Sequence, residues 1–193
     1  MAHDLSLIIA ILGAGAGSRM GGGKPGIDLG GKPLGQWALD AAGALDGQVV
    51  FVCGPERAEF LDCIPTLVNP DPGRGMASSL VLAARHAQDL GAERLLLMLA
   101  DMPFVSPETL RALVERTGRD EVTACRYPDG RLGPPACFDA GRIAPLLDLT
   151  GDMGARKLLN RPGFAQGLAV LDNELSDIDT PEDLTLARDQ TLT

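Results

Sequence analysis

The stretch from Leu5 to Lys24 reads LSLIIAILGAGAGSRMGGGK, and it predicts a buried strand that runs straight into a glycine-rich loop. Residues 5–12 are almost entirely apolar and rich in Ile and Leu, as in a strand covered on both faces of a sheet. Six glycines follow between residues 13 and 23, and glycine allows the backbone to come very close to a ligand. Because Arg19 and Lys24 lie in the same loop, the stretch indicates a binding site for nucleotide phosphates.

Two common phosphate-binding motifs do not fit this loop. The dinucleotide motif G-x-G-x-x-G would need its third glycine at Ser18 or Met20. The P-loop motif fits from Gly26 to Lys32, but Pro33 stands where a Ser or Thr hydroxyl should bind magnesium. A flexible glycine linker is the alternative, and the buried strand immediately before the loop argues against it.

Composition narrows the class of protein. The 193 residues suit a single domain with a sizeable core, and the mean hydropathy of +0.09 is ordinary for a folded α/β protein. The net charge of −9 argues against nucleic acid as a partner. No apolar run reaches the length of a membrane span, and the N-terminus has no signal-peptide pattern, so a cytoplasmic location is expected.

Histidine and cysteine usage excludes several kinds of site. With only two histidines, a His-rich metal centre or a Ser-His-Asp triad is not expected. The four cysteines show no C-x-x-C pairing, and Cys53 and Cys125 fall in expected strands, which indicates buried free thiols.

Strands and helices are expected to alternate along the first two thirds of the chain. The apolar runs 48–53, 66–68 and 94–100 predict strands, and Pro33 and Pro107 predict the starts of two helices. Three further helices are expected over residues 55–62, over 80–90 with Ser78 or Ser79 as its N-cap, and from Asp139 to Leu147. The runs 121–127 and 134–138, joined by PDGR, predict a hairpin, so the sheet is expected to be mixed at this end.

Two aspartates are candidates for binding a metal. Asp101 directly follows the buried strand 94–100, and ligands of doubly wound sheets bind at the carboxyl ends of strands. A carboxylate facing a phosphate-binding loop suits Mg²⁺, which prefers oxygen ligands. Asp179 lies just before Thr180 and Pro181, which predict the start of the last helix with a capping box completed by Asp183.

Motifs along nearly the whole chain, in the expected order, resemble those of the MobA-like nucleotidyltransferases. The loop 12–24, LGAGAGSRMGGGK, is similar to the family's signature L-[AG]-[AG]-G-x-[SG]-x-R-M-G-x-x-K. Further similar stretches are GKPL (31–34), NPDPGRGMASSL (69–80), ADMP (100–103), GDMGAR (151–156) and DIDTPEDL (177–184). Within the family, the chain is most similar to the molybdenum cofactor cytidylyltransferases. It departs from the family's G-[HN]-P motif, where it has Gly133, Pro134 and Pro135.

The resemblance implies a three-layer α/β/α, Rossmann-like fold with a mostly parallel sheet. It implies one domain over residues 1–193, with NTP and metal bound by residues 1–118 and the acceptor by residues 119–193. The expected reaction is Mg²⁺-dependent transfer of a nucleoside monophosphate from an NTP to the phosphate of molybdopterin, releasing pyrophosphate. CTP is the expected donor, and GTP is the alternative. A molybdoenzyme or chaperone partner is also implied, whereas nucleic acid and membrane are not.

The resemblance also implies roles for individual residues. Arg19, Lys24 and Asp101 would be catalytic, and Asp101 and Asp179 would bind the metal. The nucleotide-binding residues would be Leu12, Gly13, Ala14, Gly15, Ser18, Arg19, Lys24, Asn69, Gly75, Met76 and Ser79. The acceptor-binding residues would be Gly133, Pro135, Gly151, Asp152, Gly154 and Arg156.

Three alternatives stay open at this point. The chain could be a guanylyltransferase for molybdopterin, a nucleotidyltransferase for another phosphorylated acceptor such as a sugar phosphate, or a nucleotide-binding protein without turnover. Retention of Arg19, Lys24 and Asp101 disfavours the last of these. The choice between cytosine and guanine depends on backbone groups near Gly13 and Ala14, which the sequence does not position.

Overall fold

A computed structural model of the chain describes residues 6–15, 23–151 and 154–191. The described residues form nine strands and five α-helices. The strands are β1 (Leu7–Leu12), β2 (Asp28–Leu29), β3 (Lys32–Pro33), β4 (Gln48–Cys53), β5 (Thr66–Val68), β6 (Arg94–Leu99), β7 (Val122–Arg126), β8 (Leu132–Asp139) and β9 (Gln166–Ala169). The helices are α1 (Leu34–Gly43), α2 (Met76–Asp89), α3 (Pro107–Arg116), α4 (Ala155–Leu159) and α5 (Pro181–Thr191). Across the described ranges, no helix is both long and apolar enough to cross a membrane.

Seven strands form one sheet in the order β5-β4-β1-β6-β8-β7-β9, and β2 and β3 form a separate two-stranded hairpin. Strands β5, β4, β1 and β6 pair in parallel, and β9 pairs in parallel with β7. Strand β8 runs antiparallel to both of its neighbours, β6 and β7, with the predicted PDGR turn between β7 and β8. The predicted α/β class, mostly parallel with a mixed C-terminal part, is confirmed.

Strand β1 lies inside this sheet, between β4 and β6, and all six of its residues are buried. Its side chains alternate between two apolar cores, as the two-residue period of a strand requires. Ile8, Ala10 and Leu12 pack in the core that includes α2 and α4, whereas Ile9 and Ile11 pack in the core that includes α1 and α3. The sheet is therefore covered by helices on both faces, which gives the three layers that were predicted.

A third, smaller apolar cluster fixes the C-terminal segment near the start of the chain. Ile178, Leu184 and Ala187, from α5 and the residues before it, pack against Leu29 of β2 and Leu34 of α1. Each of these five side chains is buried. Because β2 follows closely after Lys24 in the chain, this cluster brings the segment before α5 to the same side of the molecule as Lys24.

Three of the expected helices differ in the structure. The helix expected over residues 55–62 is only a 3-10 turn, Glu59–Leu61. The helix expected from Asp139 to Leu147 is two 3-10 turns, Ala140–Arg142 and Ala144–Leu146. Pro145 lies in the second turn and has no N–H to continue an α-helix. Asp139 still accepts a hydrogen bond from the N–H of Gly141, as a cap.

The prediction that Ser78 or Ser79 caps the third of these helices, α2, is wrong. The helix begins at Met76, and its N-cap is Gly75, which has a φ of 88°. Both serines lie in the first helical turn, where the Asn69 side-chain amide donates hydrogen bonds to their hydroxyls. The left-handed conformation of Gly75 starts the helix earlier because glycine adopts that φ without strain.

Two glycines after β1 differ sharply in their surroundings, which gives a matched test of the packing. A Cβ added to Gly13 would lie 2.4 Å from the ring of Phe51, which is fully buried, whereas one added to Gly15 would meet nothing within 4 Å among the described residues. We expect Gly13→Ala to lower the free energy of unfolding by about 1–3 kcal/mol through overpacking. Gly15→Ala should leave it within about 0.5 kcal/mol. Urea unfolding of both variants measures this, and equal losses would contradict the packing of β1 against β4.

The cysteines provide a second test. Cys63 is exposed, whereas Cys53, Cys125 and Cys137 are buried. Burial raises the pKa of Cys125 to about 12 and that of Cys137 to about 11, so both thiols stay protonated and unreactive at pH 8. We expect one thiol per chain to react with Ellman's reagent in the native protein and four after unfolding in guanidinium chloride. Rapid reaction of two or more native thiols would show that the cores are not closed as described.

Candidate functional site

The strand order reverses at β1, and this point defines a crevice at one edge of the sheet. From β1 the chain adds β4 on one side and β6 on the other, and both pair with β1 in parallel. The carboxyl ends of β1 and β6 are adjacent, since the N–H of Ala100 donates a 3.0 Å hydrogen bond to the carbonyl of Leu12. In open α/β sheets, ligands bind outside the carboxyl ends of strands at such a reversal.

The residues after β1 present backbone to this crevice. Leu12 and Ala14 are buried, and the N–H of Gly13 donates to the carbonyl of Val52 at 2.8 Å. Gly15 is exposed. A ligand next to this turn would therefore meet main-chain groups and the open face of Gly15, and nucleotide binding by residues 12–15 stays a prediction.

Lys24, Asp101 and Asp179 meet at the crevice. Lys24 begins the 3-10 turn Lys24–Gly26, and its Nζ donates to Asp101 Oδ2 at 2.6 Å and to Asp179 Oδ1 at 2.5 Å. Its side chain is only 12% exposed, whereas the side chains of Asp101 and Asp179 are 26% and 46% exposed. Three residues that are far apart in the sequence therefore form one ion-paired group.

Asp179 reaches this group because its segment is attached to the end of β6. The N–H of Ile178 donates a 3.0 Å hydrogen bond to the backbone carbonyl of Asp101. The predicted capping box is also present: the N–H of Asp183 donates to Thr180 Oγ1, and the N–H of Thr180 donates to Asp183 Oδ2. Asp183 Oδ2 also accepts from the N–H of Asp179, so the backbone on both sides of Asp179 is held.

The two carboxylates keep Lys24 charged. Burial is the largest single influence and by itself disfavours the ammonium, but Asp101 and Asp179 together outweigh it and raise the pKa of Lys24 above its usual value of 10.5. Lys24 is therefore a full cation at neutral pH.

A divalent cation suits the oxygen atoms at this place. Asp101 Oδ1 is buried and finds no hydrogen-bond partner in the part of the chain that the structure describes. A buried carboxylate oxygen without a partner is costly, which points to a further ligand. The described residues contain no group of three His, Cys, Asp or Glu side chains that could enclose a metal by themselves. Mg²⁺ is commonly held by one or two carboxylates together with substrate phosphates, so two aspartates are sufficient.

The loop before α2 is supported from beneath by two of the predicted nucleotide-binding residues. Asn69 is buried, and its amide donates to Ser78 Oγ at 2.8 Å and to Ser79 Oγ at 3.0 Å. Ser79 is buried as well. Of the other two predicted residues, Gly75 is half-buried and Met76 is 47% exposed. In this structure, Asn69 and Ser79 shape the loop, and Gly75 and Met76 are accessible to a ligand.

Among the predicted acceptor-binding residues, the structure brings Gly133 and Arg156 together around Tyr127. The Arg156 guanidinium lies over the Tyr127 ring, 4.7 Å from its centroid, and the Tyr127 hydroxyl donates to the Pro134 carbonyl at 2.7 Å. A Cβ on Gly133 would lie 2.7 Å from the Tyr127 ring and 3.1 Å from Arg156 Nε, so glycine is required there. Pro135 follows within β8 and is buried.

The other acceptor-side residues adjoin the start of α2. The carbonyl of Gly151 accepts a hydrogen bond from the N–H of Ala77 at 3.2 Å, and a Cβ on Gly154 would lie 3.0 Å from Met76 Sδ. Gly151 and Gly154 thus lie beside the loop that was predicted to bind the nucleotide. The predictions for Ser18, Arg19 and Asp152 fall outside the described residues.

Sequence reasoning missed two residues near the site, Asp177 and Tyr127. Desolvation, followed by the charges of Asp179 and Asp101, raises the pKa of Asp177, while Arg156 acts in the opposite direction. The Asp177 carboxyl group therefore interacts electrostatically with both aspartates and with Arg156. The sequence signal for Asp177 was its position two residues before Asp179. The signal for Tyr127 was that it is the one tyrosine in the sequence.

Comparison with known proteins places this geometry in a family. Residues 9–167 match the MobA-like NTP transferase domain. The chain is 33% identical to the purine catabolism protein PucB of Bacillus subtilis (strain 168) over 201 aligned positions, which cover 94% of this chain and 96% of that protein. It is 28% identical to the molybdenum cofactor guanylyltransferase of Cereibacter sphaeroides over 189 positions, which cover 92% and 93%.

A solved structure agrees with this. The manganese complex of Rv0371c from Mycobacterium tuberculosis H37Rv aligns with a TM-score of 0.75 and 27% identity, covering 95% of this chain and 98% of that one. The fold, the position of the site at the strand-order reversal and the match over most of the chain agree with one another. The chain belongs to the MobA-like family of nucleotidyltransferases.

Proposed function

We propose that this protein transfers a nucleoside monophosphate from CTP to the terminal phosphate of molybdopterin and releases pyrophosphate. The observation that carries the proposal is the group of Lys24, Asp101 and Asp179 at the carboxyl ends of β1 and β6. A lysine and two carboxylates at this place suit a polyphosphate with its divalent cation.

The proposed reaction is in-line attack of an acceptor phosphate oxygen on the α-phosphorus of the NTP. The acceptor phosphate is already ionised at pH 7, so no strong general base is needed, in agreement with a chain that has two histidines. The barrier is mainly electrostatic, because two anions must meet while negative charge accumulates on pyrophosphate. Positioning and charge neutralisation supply most of the catalysis in reactions of this type.

Lys24 has two roles in this proposal. Without substrate, its ammonium pairs with both Asp101 and Asp179 and offsets one of their two negative charges. When the triphosphate is bound, Lys24 contacts phosphate oxygens instead, and Arg19 in the same loop assists it. The two aspartates are then free to hold Mg²⁺, which would neutralise further phosphate charge. Asp101 Oδ1, which has no hydrogen-bond partner among the described residues, supports a metal role for this residue.

The remaining predicted residues divide between the two substrates. Backbone groups of residues 12–15 and the surface of the loop at Gly75 and Met76 would bind the base and ribose. Ser18 belongs to the same proposed set, and Asn69 and Ser79 act through the shape of the loop. Gly133, Pro135, Gly151, Asp152, Gly154 and Arg156 would bind the acceptor.

The molybdopterin acceptor rests on the motifs and on the relatives. The GDMGAR and NPDPGRGM stretches resemble those of the molybdenum cofactor cytidylyltransferases, which favours CTP. GTP is the alternative donor, since one relative over nearly the full length is a molybdenum cofactor guanylyltransferase. Mg²⁺ is the proposed metal, and a structure of a relative that contains manganese supports a divalent cation of this kind.

The direct test is incubation of the protein with each of the four common NTPs, Mg²⁺ and molybdopterin, followed by mass identification of the product and measurement of pyrophosphate. We expect a cytidylylated molybdopterin and pyrophosphate in equal amounts. A guanylylated product would show that the donor is GTP and not CTP. Tight NTP binding with no pyrophosphate, with molybdopterin or with a panel of sugar phosphates, would disprove the transferase reaction and favour a non-catalytic nucleotide-binding protein.

Lys24→Ala tests the charge role. We expect turnover to fall by about 10²–10³-fold, as on removal of one preorganised charge-stabilising donor, with little change in the free energy of unfolding, because both aspartates are partly exposed to solvent. Lys32→Ala is the matched control, since Lys32 pairs with Asp40 on the surface. If activity and stability fell in parallel for Lys24→Ala, its role would be structural.

Asp101→Ala tests the metal role. We expect metal-dependent turnover to be lost, because the partly exposed Asp179 alone is a weak site for a divalent cation. Turnover as a function of Mg²⁺ concentration measures this, with circular dichroism as the control for folding. Wild-type dependence on Mg²⁺ in the variant would remove Asp101 from the metal site.

A further inference from the structure

Two chain segments carry the proposed metal-binding aspartates. Two contacts join these segments, one beside the aspartates and one at the far end of the segments. Asp101 begins the segment 101–106, and Asp179 ends the segment 174–179. At the metal end, the N–H of Ile178 donates to the carbonyl of Asp101. At the other end, Glu174 Oε2 accepts from the Ser106 N–H at 2.9 Å and from the Ser106 hydroxyl at 2.8 Å.

The Glu174 carboxylate is buried and accepts two hydrogen bonds from Ser106. It is only 8% exposed, and a buried carboxylate is stable only where it is hydrogen-bonded or paired. Ser106 is the N-cap of α3, and its hydroxyl also accepts from the N–H of Thr109 at 3.1 Å. The N-terminus of a helix favours a nearby negative charge. Glu174 is therefore held by donors at the start of α3, and it ties the segment 174–179 to that helix.

The two contacts together determine how the aspartates face each other. The capping box and the buried Ile178 already hold the segment at its Asp179 end, and the Glu174 contact holds its other end, so the segment cannot rotate about the Asp179 end. With Glu174 in place, the segment 174–179 is held at Ser106 and again at Asp101, and Asp179 is the next residue after the second attachment. Mg²⁺ and Mn²⁺ bind well only when their ligands are correctly placed, so a small rotation of this segment weakens binding.

We propose that Glu174 is a positioning residue for the metal site: through Ser106 it fixes Asp179 relative to Asp101, without touching the metal or the substrates. This inference rests on the proposed metal role of the two aspartates. A purely structural Glu174 would instead support α3 and the fold, and it would change stability without changing metal affinity.

The test compares Mn²⁺ affinities, which require no turnover. Mn²⁺ is titrated into the protein saturated with α,β-methylene-CTP, and in a second series with α,β-methylene-GTP, and free Mn²⁺ is measured by electron paramagnetic resonance. We expect Glu174→Ala to raise the Mn²⁺ dissociation constant about tenfold, as for the loss of a supporting contact behind metal ligands. Glu174→Gln keeps an acceptor for the Ser106 N–H, so it should recover most of the affinity.

Glu121→Ala is the matched control. The Glu121 carboxylate also accepts from a backbone N–H, that of Gly118, and from a side chain, that of Gln166. Glu121 immediately precedes β7, which runs in the same direction as β6. It therefore lies near the amino ends of these strands, whereas Asp101 follows the carboxyl end of β6. We expect its Mn²⁺ affinity to equal that of the wild type at a temperature where every variant is folded.

The outcomes separate the inference from the function on which it rests. Equal Mn²⁺ affinity of Glu174→Ala and wild type, or an equal loss in Glu121→Ala, would overturn the positioning role. If Glu174→Ala does not fold, Ser106→Ala decides, since it removes the hydroxyl that bonds Glu174, and unchanged affinity there overturns the role as well. A wild-type protein that binds no Mn²⁺ with either analogue would refute the proposed metal site itself.

Discussion

The candidate site depends on one interaction, the ammonium of Lys24 between the carboxylates of Asp101 and Asp179. Two carboxylates this close to one cation would repel each other without it, and the largely buried lysine would be destabilised without them. Lysine and aspartates thus stabilise one another, with one negative charge in excess, and each charge also suits a part of a nucleotide and its metal. Under the proposed function, substrate binding would exchange the ion-pair partners of Lys24.

The fold supplies this interaction by bringing three distant segments to one edge of the sheet. Parallel pairing of β1 with β6 places the end of β1 at Leu12 beside Ala100, the residue before Asp101. The apolar cluster around Ile178 and Leu29 then returns the C-terminal segment to the same edge, and the hydrogen bond from Ile178 to Asp101 aligns it. The buried Glu174 attaches the other end of that segment to α3. Apolar burial thus determines where the segments meet, and directional hydrogen bonds determine how their charges face each other.

Local signals in the sequence were reliable where they depended on local physics. The apolar run of β1, the PDGR hairpin and the capping box of Thr180 and Asp183 all formed as predicted, because each depends on residues close together in the chain. The Ser78 or Ser79 cap failed because Asn69, about ten residues earlier, engages both hydroxyls. Glu174 gave no signal at all, since its partner Ser106 is 68 residues away.

By itself, the sequence determined the order of the elements, the faces of β1 and the kind of chemistry that its motifs resemble, since these follow from periodicity, turn residues and spacing. Only the tertiary structure decided that Lys24 contacts both aspartates, that Asn69 and Ser79 lie beneath their loop, and that Tyr127 supports Arg156. Those contacts join residues far apart in the chain. Their geometry is set by how buried surfaces pack together, which no short stretch of sequence encodes.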